Sequence, residues 1–256
     1  MSQATAIIVG ASSLVSREIA KQLAQQGVEL ALLAQDTESL TEFAQSLPTQ
    51  VSLHELAIES PREIITTLES VWQQLGGAHL VIVNTGLNGY DASLPWALEQ
   101  DIITVNVQGY SAICNTAFRL FVDQGYGQLA AINSIAGLRG GPSVAYHASK
   151  AYASSYLEGL SMHAQRLKLP ITITDLQLGL LDKAAMQQSR LWLSPPHEVA
   201  RQAIKAMQKG KRRAYITKRW RLVAWLTKCL PEFIYNTRHW RTKEERKAAK
   251  AAKKAQ

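Results

Sequence analysis

Most of the chain alternates between short apolar runs and longer segments with helical periodicity. Five mostly apolar runs and a weaker sixth one have the length of strands, at 6–9, 28–33, 80–83, 129–132, 171–176 and 51–53. Runs of this length and composition predict strands buried on both faces. The segments between them predict four helices. The first runs from the Gly-Ser turn after the first apolar run to about Gln26, the second from Pro61 to Leu75, the third over about 100–122, and the fourth lies around Tyr146.

Strands that alternate with helices in this way are typical of a parallel sheet covered on both sides. The sequence therefore predicts an α/β fold, a doubly wound parallel sheet of the Rossmann type. In such a sheet the ligand binds beyond the carboxyl ends of the strands. We expect one domain over residues 1–207, followed by a basic, amphipathic and partly helical C-terminal extension over 208–256.

Charge divides the chain at the same place as the predicted extension. The net charge is +8, but residues 208–256 carry sixteen Lys and Arg against three acidic residues. The first 207 residues are therefore mildly acidic, with a net charge of −5. This asymmetry predicts that any anionic partner is met by the C-terminal segment.

Cysteine content and the absence of long apolar stretches indicate the compartment. Cys114 and Cys229 are the chain's two cysteines, so neither a disulfide framework nor a metal-ligand cluster is expected. The N-terminal residues lack the basic and apolar regions of a signal peptide, and no apolar run is long enough to span a bilayer. These features favour a cytoplasmic protein.

Tyr146 and Lys150 are the first candidates for catalytic residues. On a helix they lie on one face, about one turn apart. A lysine cation about 4 Å away, at an effective dielectric of ~20, would favour the phenolate by roughly 4 kcal/mol. That shift, about 3 pK units, would bring a tyrosine into the range of general acid–base catalysis. The alternative is an ordinary surface helix.

A Gly-Ser turn after the first predicted strand is the second candidate. Gly10 can make a tight turn, and Ser12 and Ser13 add hydroxyl groups before a helix begins. The unpaired N–H groups and the dipole of a helix N-terminus suit a pyrophosphate. A simple strand-to-helix turn, in which the serines cap the helix, remains the alternative.

Four separated motifs together resemble those of the short-chain dehydrogenase/reductase family, over residues 5 to about 207. The turn at Gly10 resembles the family's Gly-x-x-x-Gly-x-Gly, and Asn84-Thr85-Gly86 resembles the end of its Asn-Asn-Ala-Gly. Asn106 lies in Val-Asn-Val-Gln-Gly, and Ser134 precedes Tyr146 and Lys150 at near-family spacing. The order and spacing of the four motifs make the resemblance more specific than any one of them.

The resemblance implies a role for each matching residue. Tyr146 would transfer the proton to or from the substrate oxygen, Lys150 would lower the tyrosine pKa and bind the nicotinamide ribose, and Ser134 would hold the carbonyl. Asn106 would position a water that links Lys150 to solvent, unless it merely satisfies backbone groups in a kinked helix. The implied cofactor-binding residues are Gly10, Ser12, Ser13, Leu14, Val15, Gln35, Asn84, Gly86, Tyr146, Lys150 and Leu181.

The chain departs from the family pattern mainly on the cofactor side. Leu14 and Ser16 replace the second and third glycines, which normally allow close approach of the pyrophosphate and of the helix to the sheet. Three further family positions are also changed, at Ala57, Leu178 and Lys183. We expect cofactor binding to persist, with Leu14 as the residue that would crowd the phosphates.

The end of the second predicted strand bears on the choice between NAD and NADP. Ala34 provides no acid to hold a ribose 2′-hydroxyl, and Gln35 provides no arginine to hold a 2′-phosphate. Asp36 would serve NAD if the strand ended later. The sequence favours NADP(H) slightly over NAD(H).

Residues 209–241 combine cations with an apolar stripe. Leu222, Trp225, Leu226 and Leu230 fall at helical spacing, and cations flank them. Such a stripe, too short to span, suits a helix in the interface of an anionic membrane. Packing on the domain or on a second subunit is the alternative. Nucleic-acid binding is less favoured because the preceding domain is acidic and has no nucleic-acid-binding motif.

These observations predict an NAD(P)-dependent oxidoreductase that interconverts a ketone and a secondary alcohol. Tyr90, Trp96 and Trp192 lie near the expected substrate loops, which suggests an apolar or lipid-linked carbonyl substrate. We expect a cytoplasmic homo-oligomer, held peripherally at the membrane through 209–241. The alternative is a catalytically impaired, dehydrogenase-like binding or scaffold protein, suggested by Leu14 and the other cofactor-side changes.

Overall fold

A computed structural model of the chain describes residues 4–179 and 195–235. Its centre is a seven-stranded sheet in the order β3-β2-β1-β4-β5-β6-β7, with every neighbouring pair parallel. The strands are β1 Thr5–Val9, β2 Glu29–Ala34, β3 Val51–Glu55, β4 Leu80–Val83, β5 Gly127–Ser134, β6 Ile171–Leu178 and β7 Arg213–Ile216. The predicted doubly wound parallel sheet is therefore confirmed.

Helices cover both sides of the sheet. They are α1 Leu14–Ala24, α2 Glu38–Gln45, α3 Pro61–Leu75, α4 Trp96–Ile103, α5 Tyr110–Gln124, α6 Val144–Leu167, α7 Pro196–Gln208, α8 Trp220–Cys229 and α9 Glu232–Tyr235. A π-helical segment, Thr104–Gly109, joins α4 to α5, and a 3₁₀ turn, Ile135–Leu138, follows β5. In the ranges 4–179 and 195–235, no helix has both the length and the apolar character that a bilayer span requires.

The apolar strand runs fill two cores, because successive strand residues face opposite sides of the sheet. Ile8 packs in a core with Ile19 of α1 and Ala203 of α7. Its neighbour Ile7 packs in the other core with Phe121 of α5. The inner strands must be apolar on both faces, which explains why the pattern predicted them.

Two parts of the fold differ from the sequence prediction. The predicted helix at about 100–122 is one helical run from Trp96 to Gln124, interrupted by the π-helical segment. Strand β7 lies inside the segment that the sequence assigned to the extension, and it pairs with β6. A four-residue strand flanked by cations has little apolar signal of its own, so its place depends on its neighbour in the sheet.

Candidate active site

Four side chains converge at the carboxyl edge of the sheet. Ser134 ends β5, Asn106 lies in the π-helical segment, and Tyr146 and Lys150 lie on the first turns of α6. Lys150 Nζ is 5.7 Å from the centre of the Tyr146 ring. A Cβ placed on Gly86 would lie 3.0 Å from Lys150 Nζ and 3.5 Å from Asn106 Oδ1. The loop after β4 thus touches two of these four side chains.

Asn106 is almost fully buried and holds the loop after β4 in place. Its Oδ1 accepts a hydrogen bond from the Leu87 N–H (2.7 Å), and its Nδ2 donates to the Leu87 carbonyl (2.8 Å). Nδ2 also lies 3.0 Å from Ser149 Oγ on α6. Asn106 therefore satisfies backbone groups, as the structural alternative predicted, and it does so beside Lys150.

Ser134 lies in a turn that its own side chain stabilises. Its Oγ accepts a hydrogen bond from the Ala136 N–H (3.1 Å), at the start of the 3₁₀ turn. Asn133 Oδ1 accepts one from the Ser134 N–H (2.9 Å). Ser134 also interacts with the Tyr146 phenol, which favours the phenolate. The hydroxyl and the phenol therefore face one position for a substrate oxygen.

The pKa values of Tyr146 and Lys150 correct one expectation from the sequence. Burial raises the pKa of Tyr146, and the hydrogen bond with Ser134 opposes that rise only in part. Burial also lowers the pKa of Lys150 to about 8, while the negative charge of Asp175 opposes that fall. Desolvation thus determines the direction of both pKa shifts, and the pKa of Tyr146 is raised where the sequence predicted that Lys150 would lower it.

Asp175 is a functional candidate that the sequence analysis missed. It is fully buried on β6, and its carboxylate accepts hydrogen bonds from Ser154 Oγ of α6 (3.0 Å) and Arg213 Nε of β7 (3.2 Å). Asn133 Nδ2 joins Asp175 Oδ1 to the Lys150 carbonyl, each at 3.3 Å. A carboxylate in the middle of a strand that was expected to be buried was the available signal.

The turn at Gly10 has the geometry that a phosphate-binding turn requires. Gly10 has a φ of 81°, and a Cβ there would lie 2.1 Å from the Asn84 carbonyl oxygen. Its N–H and that of Ala11 both donate to the Leu33 carbonyl, at 2.9 and 3.0 Å. The residue must therefore be glycine, for backbone conformation and for space alike.

Ser13 and Ser16 form a hydrogen-bonded cluster with Asn84. Ser13 caps α1 by accepting from the Ser16 N–H (3.1 Å). Asn84 Nδ2 donates to Ser13 Oγ (2.6 Å) and to Ser16 Oγ (2.8 Å). The Ser13 hydroxyl is thus engaged as a helix cap, the alternative that the sequence left open. Ser16, in place of the family's third glycine, ties α1 to the loop after β4.

The remaining cofactor-side candidates lie around the same turn. Ser12 and Gln35 are exposed, Leu14 is 52% exposed, and the Val15 side chain is buried. The Leu14 side chain lines a surface groove together with Arg17 and Phe43. Leu181 and Lys183 lie outside the residues that the structure describes, as does Trp192.

These residues fit a dinucleotide. The N–H groups of Leu14 and Val15, at the first two positions of α1, have no acceptor within their own helix and are available to a phosphate. Thr85 Oγ1, on the loop after β4, is buried without a hydrogen-bond partner, which leaves a donor for a ligand. Lys150 Nζ lies against Gly86, the next residue of that loop.

Arg17 is a second residue that the sequence analysis missed. Its guanidinium donates to the Ser39 carbonyl (3.0 Å) and stacks over Phe43 (5.6 Å to the ring centre). It therefore brings a fixed cation to helix α2, which begins just after the loop that follows β2. The sequence prediction considered a cation at the end of β2 and did not consider one from α1.

The C-terminal helices pack against Gly179 and against the segment that follows the 3₁₀ turn. Trp220 at the start of α8 lies directly on Gly179, where an added Cβ would be 2.1 Å from its ring. Arg139, just after the 3₁₀ turn, donates to the Leu230 carbonyl and stacks on Tyr235. Tyr235 in turn donates to the Gly140 carbonyl (2.9 Å). Residues 220–235 thus border the loop that follows Ser134.

Comparisons with known proteins identify the family of the chain. A model of the short chain dehydrogenase family matches residues 4–193. An uncharacterized oxidoreductase of Mycobacterium tuberculosis is 33% identical over 194 residues, covering 72% of this chain and 75% of that protein. Carbonyl reductase family member 4 of Danio rerio is 27% identical over 208 residues, covering 76% and 87% respectively.

A solved structure has the same fold. The NADPH-dependent 3-quinuclidinone reductase from Rhodotorula rubra matches with a TM-score of 0.67 at 21% sequence identity. The match covers 80% of this chain and 84% of the reductase.

Proposed function

Because the chain belongs to the short-chain dehydrogenase/reductase family, and is thus an NAD(P)-dependent oxidoreductase acting on CH–OH or C=O groups, we propose that Tyr146 transfers the proton between a ketone and a secondary alcohol. The observation that carries this proposal is the convergence of Ser134, Tyr146, Lys150 and Asn106 at one edge of the sheet. Gly86, against Lys150, leaves room there for a ribose.

The chemistry divides between the bound cofactor and the side chains. The nicotinamide supplies or accepts the hydride, and the protein supplies orientation and proton transfer. Ser134 donates a hydrogen bond to the carbonyl oxygen, and Tyr146, whose raised pKa keeps it protonated at neutral pH, gives that oxygen its proton. In alcohol oxidation both groups act in reverse.

Lys150 and Asn106 act behind the phenol. Protonated Lys150 donates to the nicotinamide ribose and stabilises negative charge that forms on Tyr146. Asn106 holds the loop after β4 in place through the Leu87 main chain, so that the loop leaves the Lys150 ammonium accessible to the ribose. We propose that the main-chain N–H groups of Ser12, Leu14 and Val15 bind the cofactor phosphates, while Gly10 allows the tight turn and Asn84 holds it in place.

We infer a preference for NADP(H) over NAD(H). Arg17 is the observation in favour, since its guanidinium donates to the Ser39 carbonyl in the first turn of α2, just after the loop that follows β2. A guanidinium there would neutralise a ribose 2′-phosphate. The NADPH dependence of the quinuclidinone reductase is consistent with this preference.

An apolar or lipid-linked carbonyl compound is the proposed substrate. Tyr90 and Trp96, on the loop and helix after β4, are 51% and 68% exposed. Such exposed aromatic side chains favour an apolar ligand. We further propose a cytoplasmic homo-oligomer that attaches peripherally to an anionic membrane through residues 209–241.

Titration with NADPH and NADH, followed by nicotinamide fluorescence, tests the oxidoreductase proposal against the scaffold alternative. We expect saturable binding of both, tighter for NADPH. Failure of both to bind would favour a dehydrogenase-like protein that has lost turnover.

A further inference from the structure

A groove rich in cations lies on the outer edge of the sheet, away from Tyr146. It has a volume of about 780 Å³ and runs between α7, strand β7 and the start of α8. Its charged lining residues, which we call the basic groove, are Lys205, Lys209, Lys211, Arg213, Lys218 and Arg221.

Five of the six cations have no carboxylate partner among the described residues. Only Arg213 is paired, with Asp175 (3.2 Å) and Glu158 (3.6 Å). Glu198 lines an adjoining depression with Lys205 and Lys218, but Arg201 engages its carboxylate at 2.7 Å. Like charges gathered in one concave surface repel one another, and a bound anion relieves that repulsion.

Helix α8 presents an apolar strip next to the basic groove. Trp220 and Ala224 are buried on its inner face, whereas Leu222, Trp225 and Leu226 are 64%, 60% and 47% exposed. At 100° per residue these three side chains lie together on the outer face. Arg221 belongs to both α8 and the groove, so the apolar strip and the cations form one continuous surface.

We propose that the basic groove holds the phosphate groups of anionic phospholipids while Leu222, Trp225 and Leu226 enter the acyl boundary. The inference rests on the membrane attachment proposed above and names its phosphate site. A soluble phosphate would account for the basic groove but not for the apolar strip. An anionic lipid surface accounts for both, because its phosphate groups bind the cations and its acyl chains contact the strip. Trp225 also provides the interfacial aromatic ring typical of such helices.

This docking would place the catalytic edge near the bilayer. Trp220 packs on Gly179, and the Leu230 carbonyl accepts a hydrogen bond from Arg139, so α8 is fastened to the loop that follows Ser134. A carbonyl compound dissolved in the membrane would then meet the side of the protein that carries the loop after Ser134.

The test compares two variants of the full-length protein with equal loss of charge. The groove variant carries Lys205→Gln, Lys209→Gln and Lys211→Gln, all at exposed positions. The control carries Lys21→Gln, Arg62→Gln and Arg166→Gln, exposed cations on other faces. Sedimentation with phosphatidylglycerol-containing vesicles and with pure phosphatidylcholine vesicles measures binding, and cofactor binding verifies that each variant is folded.

We expect the wild type and the control to bind the anionic vesicles, and the groove variant to bind about 100-fold more weakly, about fivefold for each lost cation. Equal binding by the groove variant and the wild type would show that the basic groove is not the phosphate site, while membrane attachment itself would stand. No vesicle binding by the wild type would overturn both. None of these outcomes affects the oxidoreductase proposal, since that rests on cofactor binding without vesicles.

Two competitors test the lipid assignment. The competitors are inorganic phosphate and labelled single-stranded DNA. If either binds the wild type as tightly as the vesicles do and binds the groove variant weakly, the groove is a site for that ligand and the lipid proposal is wrong. Weak binding of both supports the lipid.

Discussion

The buried carboxylate of Asp175 and the Arg213 guanidinium form an ion pair of 3.2 Å that joins the last two strands of the sheet behind the catalytic helix. Asp175 also accepts from Ser154 of α6, and Asn133 links it to the Lys150 carbonyl. The strand that the sequence analysis did not foresee therefore supports the helix that carries Tyr146.

Removing this carboxylate should destabilise the fold. Asp175→Ala leaves the Asn133, Ser154 and Arg213 donors without their acceptor, and we expect a loss of about 3 kcal/mol in the free energy of unfolding. Urea denaturation measures the loss. Glu158→Gln is the control, because that more exposed partner of Arg213 should contribute less than about 1 kcal/mol. Equal effects of the two substitutions would contradict a structural role for Asp175.

Lys150 should set the alkaline limit of carbonyl reduction. Its pKa in the free protein is lowered to about 8, and the ribose contact needs the protonated form. We therefore expect kcat/KM to fall as the pH rises through about 8, since kcat/KM reports the free enzyme. Asp175 raises the pKa of Lys150, so Asp175→Asn should move the alkaline fall of kcat/KM to lower pH. A shift to higher pH would contradict the proposed coupling.

Leu14→Gly tests whether the leucine crowds the phosphates. Because the side chain is half exposed and lines a surface groove, we expect dinucleotide affinity to change by less than about threefold. Helix α1 should lose about 1 kcal/mol of stability from the added glycine, and Leu14→Ala serves as the control for that loss. Tenfold tighter cofactor binding by Leu14→Gly than by the wild type would show that Leu14 does obstruct the turn.

Arg17→Gln tests the cofactor preference. If the guanidinium meets the 2′-phosphate, the substitution should weaken NADPH binding about tenfold, equivalent to about 1.4 kcal/mol, and leave NADH binding nearly unchanged. Lys21→Gln, one turn further along α1, should alter neither affinity. Equal weakening of NADPH and NADH would assign Arg17 a purely structural role.

The sequence predicted the parts of the molecule that depend on local pattern. Apolar runs indicated the inner strands because both faces of each strand are buried, and the spacing of Tyr146 and Lys150 placed them on one helical face. The turn at Gly10 followed from its position after β1. Each of these signals lies within a few residues of the feature that it predicts.

What the sequence analysis missed depends on contacts between distant segments. The role of Ser16 appears only with Asn84, 68 residues away, whose amide joins it to Ser13. Strand β7 needs β6 beside it, and the raised pKa of Tyr146 depends on how deeply the fold buries the phenol. No local pattern contains this information.

Turnover by Tyr146→Phe tests the central claim most directly. The substitution removes the proton-transferring hydroxyl and keeps the ring, so fluorescence titration should give cofactor affinities close to those of the wild type. With a ketone that the wild type reduces, found in a panel of increasing apolar chain length, we predict a 10²–10⁴-fold loss of NAD(P)H oxidation. Turnover by the variant within about threefold of the wild type would contradict the assignment of Tyr146 as the proton donor.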